Sequence, residues 1–131
     1  MVVVGAVVAR VVACVAGDRQ GHVYNVNADQ MAAACAAGFG ADRLLFLTDV
    51  AGVLDAGQRV LPLLAAARCR ELVAAGVARG GMQAKLNAAL EALRLGVSEV
   101  EIAAGATPGV IARWLAREPV GTRILPEAPH A

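Results

Sequence analysis

The spacing of apolar and polar positions changes several times along the chain. Positions 11–16, "VVACVA", form a short apolar run rich in β-branched residues. "GDRQG" at 17–21 is turn chemistry and "HVYNV" at 22–26 is a return strand, so a β-hairpin is predicted. From Ala28 the spacing turns helical. Asn27 is a good N-cap, Asp29 and Gln30 fall in the first turn, and "MAAACAAG" runs to a stop at Gly38 or Gly40. "RLLFLTDV" at 43–50 is a continuous apolar run ending in polar residues, the pattern of a strand buried on both faces. "AGVLDAGQRVLPLL" at 51–64 reads as a loop with turn signals at Gly52 and at Asp55–Gly57.

Helices are predicted from about Leu64 to Ala75 and from about Met82 to Leu95, the second stopped by Gly96. "EVEIAAG" at 99–105 is a strand, Pro108 opens a helix to about Ala116, and "GTRIL" at 121–125 is a last short strand before a fraying "PEAPHA" tail. The order hairpin, α, β, α, α, β, α, β predicts an α/β fold. Its sheet should be mostly parallel and sandwiched between helices. With 131 residues, no linker and no repeat, a single domain over 1–131 is expected.

Composition changes this picture little. The hydrophobic fraction is 58% and the mean hydropathy +0.59, yet much of that is alanine and valine. No run approaches the roughly 18 apolar residues of a membrane span. "MVVVGAVVARVVACVAG" lacks a basic segment ahead of its apolar stretch and contains Arg10, so it reads as strand or core and not as a signal peptide. A net charge of +1 and 3% aromatic residues argue against nucleic-acid binding. Cys14, Cys35 and Cys69 have no metal-ligand spacing and are expected as buried, reduced thiols of a cytoplasmic protein.

Chemistry concentrates in a few polar clusters. In open α/β sheets ligands bind beyond the carboxyl ends of strands. "TDVAG" at 48–52 and "AAG" at 103–105 follow strands, and "YNVNAD" at 24–29 joins a strand to a helix. "GGMQAK" at 80–85 opens another helix, where Gly80 and Gly81 allow close backbone approach. Lys85, the only lysine, is expected in the first turn or so, where a cation is disfavoured by the helix dipole. An anion shared between the helix amides and the ammonium would resolve that conflict and suits a phosphate. Each cluster has a plain alternative. Asn25 and Asn27 can be a turn and a cap, Asp29 a favourable first-turn charge, Asp49 a loop cap, Lys85 a solvated surface residue, and the glycine pair a turn. Their joint arrival at the ligand-facing ends of one sheet favours the functional reading.

These residues carry a resemblance. "YNVNADQMAAACAAGFGADRLLFLTDVAGVLD", "ELVAAGVARGGMQAKLNAALEALRLGV" and "GTRIL" together resemble the C-terminal half of the acetylglutamate kinases, in the amino acid kinase family, from about Ala9 to Leu125. The resemblance implies an amino acid kinase-like fold, represented here by its nucleotide-binding half. It implies transfer of the γ-phosphoryl of ATP, with Mg2+ carried by the nucleotide, to the side-chain carboxylate of N-acetyl-glutamate in cytoplasmic arginine biosynthesis. By the same resemblance Asn25 and Asn27 would hold the acylamino acid, Asp29 would orient the active-site lysines, and Lys85 would stabilise charge on the transferring phosphoryl group. Thr48, Asp49, Val50, Ala51, Gly52, Val53 and Leu54, with Val77, Ala78, Arg79, Gly81 and Met82, would surround the nucleotide, and no residue would ligate a metal. The family's N-terminal half, with a second lysine, glycine-rich phosphate loops and a substrate-gripping arginine, has no counterpart in these residues. Catalysis is therefore expected to need a complementing half. Two alternatives are a non-catalytic nucleotide-binding module and a kinase for N-acetyl-aminoadipate. An exposed apolar strand edge would favour self-association.

Overall fold

The computed structural model describes residues 11–127. A small antiparallel hairpin pairs β1 (Val15–Gly17) with β2 (Val23–Asn25), placing Val15 opposite Asn25. The main sheet holds β3 (Arg43–Thr48), β4 (Leu63–Ala65), β5 (Glu99–Ala104) and β6 (Gly121–Leu125) in the order β3-β5-β6-β4. Helices α1 (Ala28–Gly38), α2 (Ala66–Ala74), α3 (Gly80–Arg94) and α4 (Val110–Leu115) complete the described chain.

Local chemistry explains the helix limits. The Asn27 carboxamide oxygen accepts from the Asp29 and Gln30 amides at 3.0 and 3.2 Å, satisfying two of the unpaired donors at the start of α1. At its other end Gly40 takes a φ of 66°, and Gly40 and Ala41 donate back to Ala37 and Ala36. Gly96 ends α3 the same way, with Val97 donating to Ala92.

The register sorts the strands into two faces. Leu44 lies beside Val100, Phe46 beside Ile102, and Val100 beside Ile124, which is next to Leu64. This face packs against the alanine-rich sides of α1 and α3 and against Cys69 and Leu72 of α2, forming the core. The opposite face carries Arg43, Glu99, Glu101 and Arg123, also adjacent in register. Arg43 Nε donates to Glu99 Oε1 at 2.9 Å, Nη1 donates to the Trp114 carbonyl at 3.0 Å, and the guanidinium lies 4.1 Å from the centre of the Trp114 ring. Those contacts seat α4 on the second face, and Glu101, 1% exposed, accepts from the Val120 amide. Helices therefore cover both faces, as the element order predicts.

The sheet is mostly parallel, as the element order predicts: the β3–β5 and β4–β6 pairs are parallel, while β5 and β6 run antiparallel. The six residues of α4 rise about 9 Å, under half of the roughly 20 Å spanned by β5. The chain thus re-enters the sheet at the end it left, with Ala103 opposite Gly121. A Cβ at Gly121 would meet the Ile102 carbonyl oxygen at 2.1 Å, so only glycine permits this pairing. Leu63–Ala65 is a strand and not loop or helix, because it pairs with β6. The hairpin begins at Val15 instead of Val11, whose side chain is 99% exposed and not core. The remainder of the apolar N-terminal stretch, residues 1–10, lies outside the described residues, as does the tail from 128 onward. Only Cys69 is buried; Cys14 and Cys35 are partly exposed.

Candidate functional site

Two helix N-terminal halves meet beside the end of the hairpin. Ala33 and Ala36 of α1 and Ala88, Ala89 and Ala92 of α3 are buried, and such small side chains let the helices approach closely. Asp29 in the first turn of α1 then faces Lys85 of α3. Lys85 Nζ donates to both Asp29 oxygens, at 3.0 and 3.2 Å, with the two side chains 20% and 16% exposed. Because α3 begins at Gly80 and not at Met82, Lys85 sits in its second turn. The conflict with the helix dipole is correspondingly weaker, and the carboxylate of Asp29 is the anion that meets the ammonium.

Asn25 ends β2 and is exposed, while Asn27 is engaged as the α1 cap. The hairpin tip contains a cluster that sequence reasoning missed. Asp18 Oδ2 accepts from Tyr24 Oη at 2.8 Å and contacts His22 Nδ1 at 2.7 Å, and Oδ1 accepts from the Gln20 and His22 amides. Desolvation pushes the Asp18 carboxyl up, but these hydrogen bonds outweigh it and hold the group below its ordinary value. The hydrogen bond to Asp18, aided by desolvation, raises the Tyr24 hydroxyl. Asp18, His22 and Tyr24 were visible as polar residues flanking a turn, but nothing in their spacing signalled mutual contact.

A second group of residues lines one cleft of about 250 Å3: Val50, Gly52 and Leu54 on one side, and Val77, Ala78, Arg79 and Met82 on the other. Asp55 and Gln58 complete the lining and were not singled out by sequence. Thr48, Asp49, Ala51, Val53 and Gly81 do not line this cleft. Thr48 Oγ1 donates to Asp49 Oδ1 at 3.1 Å. Val53 is fully buried, and its amide donates to Thr122 Oγ1 at 2.8 Å. Gly52 presses on the same residue: a Cβ there would lie 2.6 Å from Thr122 Oγ1. Gly81 is exposed in the first turn of α3, a helix whose N-cap residue, Arg79, makes no side-chain cap hydrogen bond. Lys85 follows Met82 by one turn, so cleft and ion pair share one side of α3. A larger cleft of about 570 Å3, between α1 and α3, includes Asn27 but neither Asn25 nor Lys85. Among the described residues no group of three or more His, Cys, Asp or Glu is placed to hold a metal ion, and no helix is long and apolar enough to cross a membrane.

A sequence profile of the amino acid kinase family matches residues 5–104. The chain belongs to the amino acid kinase family. Among relatives, an acetylglutamate kinase of Solibacter usitatus is 64% identical over 115 residues, covering 88% of this chain and 45% of that protein. An acetylglutamate kinase of Brucella anthropi is 44% identical over 117 residues, covering 88% of this chain and 40% of that protein. The chain thus spans less than half the length of these relatives. Among solved structures, N-acetylglutamate synthase from Neisseria gonorrhoeae, complexed with coenzyme A and N-acetyl-glutamate, superposes with a TM-score of 0.80 at 28% identity. That match covers 88% of this chain and 27% of the synthase. Carbamate kinase from Giardia lamblia bound to AMP-PNP gives a TM-score of 0.68 at 20% identity, covering 86% of this chain and 37% of the kinase, and shares the family fold.

Proposed function

We propose that this chain builds the nucleotide site, and part of the acyl-amino-acid site, of a cytoplasmic acetylglutamate kinase serving arginine biosynthesis, acting with a complementing half that supplies the remaining contacts. The observation that carries this reading is the bidentate contact of Lys85 Nζ with Asp29 beside an uncapped helix start. In phosphoryl transfer an oxygen of the acceptor carboxylate forms a bond to the γ-phosphorus as the bond from that phosphorus to the β–γ bridging oxygen breaks. The electron pair leaves on ADP, and charge spreads over the equatorial oxygens. Positioned cations and dipoles do most of the work in such a step. Asp29 fixes the ammonium of Lys85 in one orientation, so little side-chain ordering remains when phosphate oxygens arrive. The unpaired amides at the start of α3 add donors on the same side.

These donors suit phosphate oxygens and are not metal ligands, so the residues fit magnesium arriving on the nucleotide. Bound there, it would neutralise β- and γ-oxygens. The cleft lined by Val50, Gly52, Leu54, Val77, Ala78, Arg79 and Met82 is assigned to the nucleotide, with Thr48, Asp49, Ala51, Val53 and Gly81 shaping its surroundings. Asn25 and the Asn27 segment are assigned to the acylamino acid.

The test is formation of acyl phosphate, trapped with hydroxylamine, by this chain combined with the remaining part of a full-length relative. Product from N-acetyl-glutamate, reduced about 10²–10³-fold in kcat by Lys85→Ala, is the expected result. An unchanged rate in that variant removes the role given to Lys85, and product only from N-acetyl-aminoadipate moves the acceptor assignment to that substrate.

A further inference from the structure

Among the described residues only Gln58 and Arg117 are non-glycine residues at positive φ, Gln58 at 62°. Gln58 belongs to a tight hairpin closed by the Leu54–Val60 bridge. The Asp55 amide donates to the Arg59 carbonyl at 2.9 Å and the Gln58 amide to the Asp55 carbonyl at 3.0 Å. This is a three-residue loop whose left-handed position is ordinarily glycine. The preceding glycine, Gly57, does not occupy it. Asp55 locks the tip, because its carboxylate accepts from the Gly57 and Arg59 amides at 2.8 and 2.9 Å and from Arg59 Nε at 3.0 Å. A glutamine is therefore held, against its backbone preference, on a rigid support.

Its position gives that strain a use. Gln58 lines the 250 Å3 cleft together with Val50, Leu54, Val77, Ala78 and Met82, an apolar slot. The two other polar residues lining the slot are engaged elsewhere. Asp55 is bound within the hairpin, and Arg79 Nε donates to the Gly76 carbonyl. Among the described residues the Gln58 carboxamide has no hydrogen-bond partner. It is a neutral donor–acceptor pair beside a largely apolar cleft, which suits the edge of a planar heterocycle.

We infer that Gln58 reads the nucleobase and selects adenine over guanine. The inference rests on the cleft being the nucleotide site. A carboxamide pairs in two-point fashion with the N6 amino group and N7 of adenine, whereas guanine presents two acceptors, O6 and N7, along the same edge. The slot supplies the apolar contact to the ring faces, and Met82 leads one turn along α3 to Lys85, toward which the phosphates extend.

The test is calorimetric titration of the full chain with the magnesium complexes of ATP, GTP and 7-deaza-ATP, alongside Gln58→Gly. The parent should prefer ATP to GTP by about 5- to 150-fold, the range of one good two-point pair, and should bind 7-deaza-ATP more weakly than ATP. In Gln58→Gly both preferences should shrink to within about threefold, and because glycine relieves the left-handed strain, the melting temperature should hold or rise. Selectivity unchanged in the variant overturns the role of Gln58 while leaving the nucleotide site standing. A folded parent that takes up none of the three overturns the nucleotide site and this inference with it.

Discussion

Thr122→Val tests how the loop after β3 is tied to the sheet. Thr122 Oγ1, on β6, accepts from the Val53 amide at 2.8 Å and donates to the Leu61 carbonyl at 2.6 Å. Thr122 and Val53 are both fully buried. Valine keeps the branched shape and the strand preference, so neither cavity nor propensity enters. What changes is a buried N–H left without an acceptor, about 1–3 kcal/mol, and a partly buried carbonyl losing its donor, about 1 kcal/mol. The added methyl returns up to about 0.8 kcal/mol of apolar transfer. The net loss is about 2 kcal/mol, and with a urea slope of 1–3 kcal/mol per molar the midpoint should fall by roughly 1 M. Urea unfolding gives the midpoint, and amide hydrogen exchange should show Val53 losing protection before the core of β5. A midpoint unchanged within about 0.2 M, or a fall with Val53 still protected, would refute the assignment of this hydroxyl as the tie.

Three further outcomes follow from the geometry. Burial pushes the Cys69 thiol up to about 11, leaving roughly one part in 10³ as thiolate at pH 8. Iodoacetamide should therefore modify the partly exposed Cys14 and Cys35 in the folded chain and reach Cys69 only on unfolding, whereas three equal rates would contradict the core. Tyr24, the only tyrosine, should ionise above its ordinary 10.0 because it donates to the Asp18 carboxylate. A raised folded value means that this contribution to hairpin stability is complete below pH 10 and is lost as pH rises through the folded value; ultraviolet titration should show the elevation disappearing in Asp18→Asn. Strand β3 forms one edge of the four-stranded sheet and exposes Leu47, so self-association in the micromolar range is expected. Light scattering would detect it, and a monomer at every concentration would count against an adhesive edge.

The legible parts of the fold were those coded locally. Asn27 as a cap, Gly40 and Gly96 as helix stops, and the apolar run Leu44–Leu47 each act within a few residues of where they stand. β4 was illegible because three residues, Leu63–Ala65, become a strand only through β6, some sixty positions later. The direction of β6 was hidden for a similar reason, since it depends on how far α4 carries the chain. The alternation of Glu99, Val100, Glu101 and Ile102 does signal two unlike faces, but the partner that makes a buried glutamate tolerable, Arg43, is remote in sequence.

The site divides in the same way. Lys85 and Asp29 stand 56 positions apart, and no periodicity joins them; family resemblance singled out both, and packing of α1 on α3 brings them into contact. The turn signal "DAG" at 55–57 does lie in a turn. The left-handed residue falls one position later, at Gln58, where glutamine gives no warning of it.

The most direct measurement is calorimetric titration of the chain with ATP and magnesium, run beside Lys85→Ala. Saturable binding at one site is expected, weakened about 10- to 100-fold in the variant, as loss of a charge-assisted hydrogen bond implies. A folded chain that binds no nucleotide, or one whose affinity is untouched by Lys85→Ala, would contradict the nucleotide assignment.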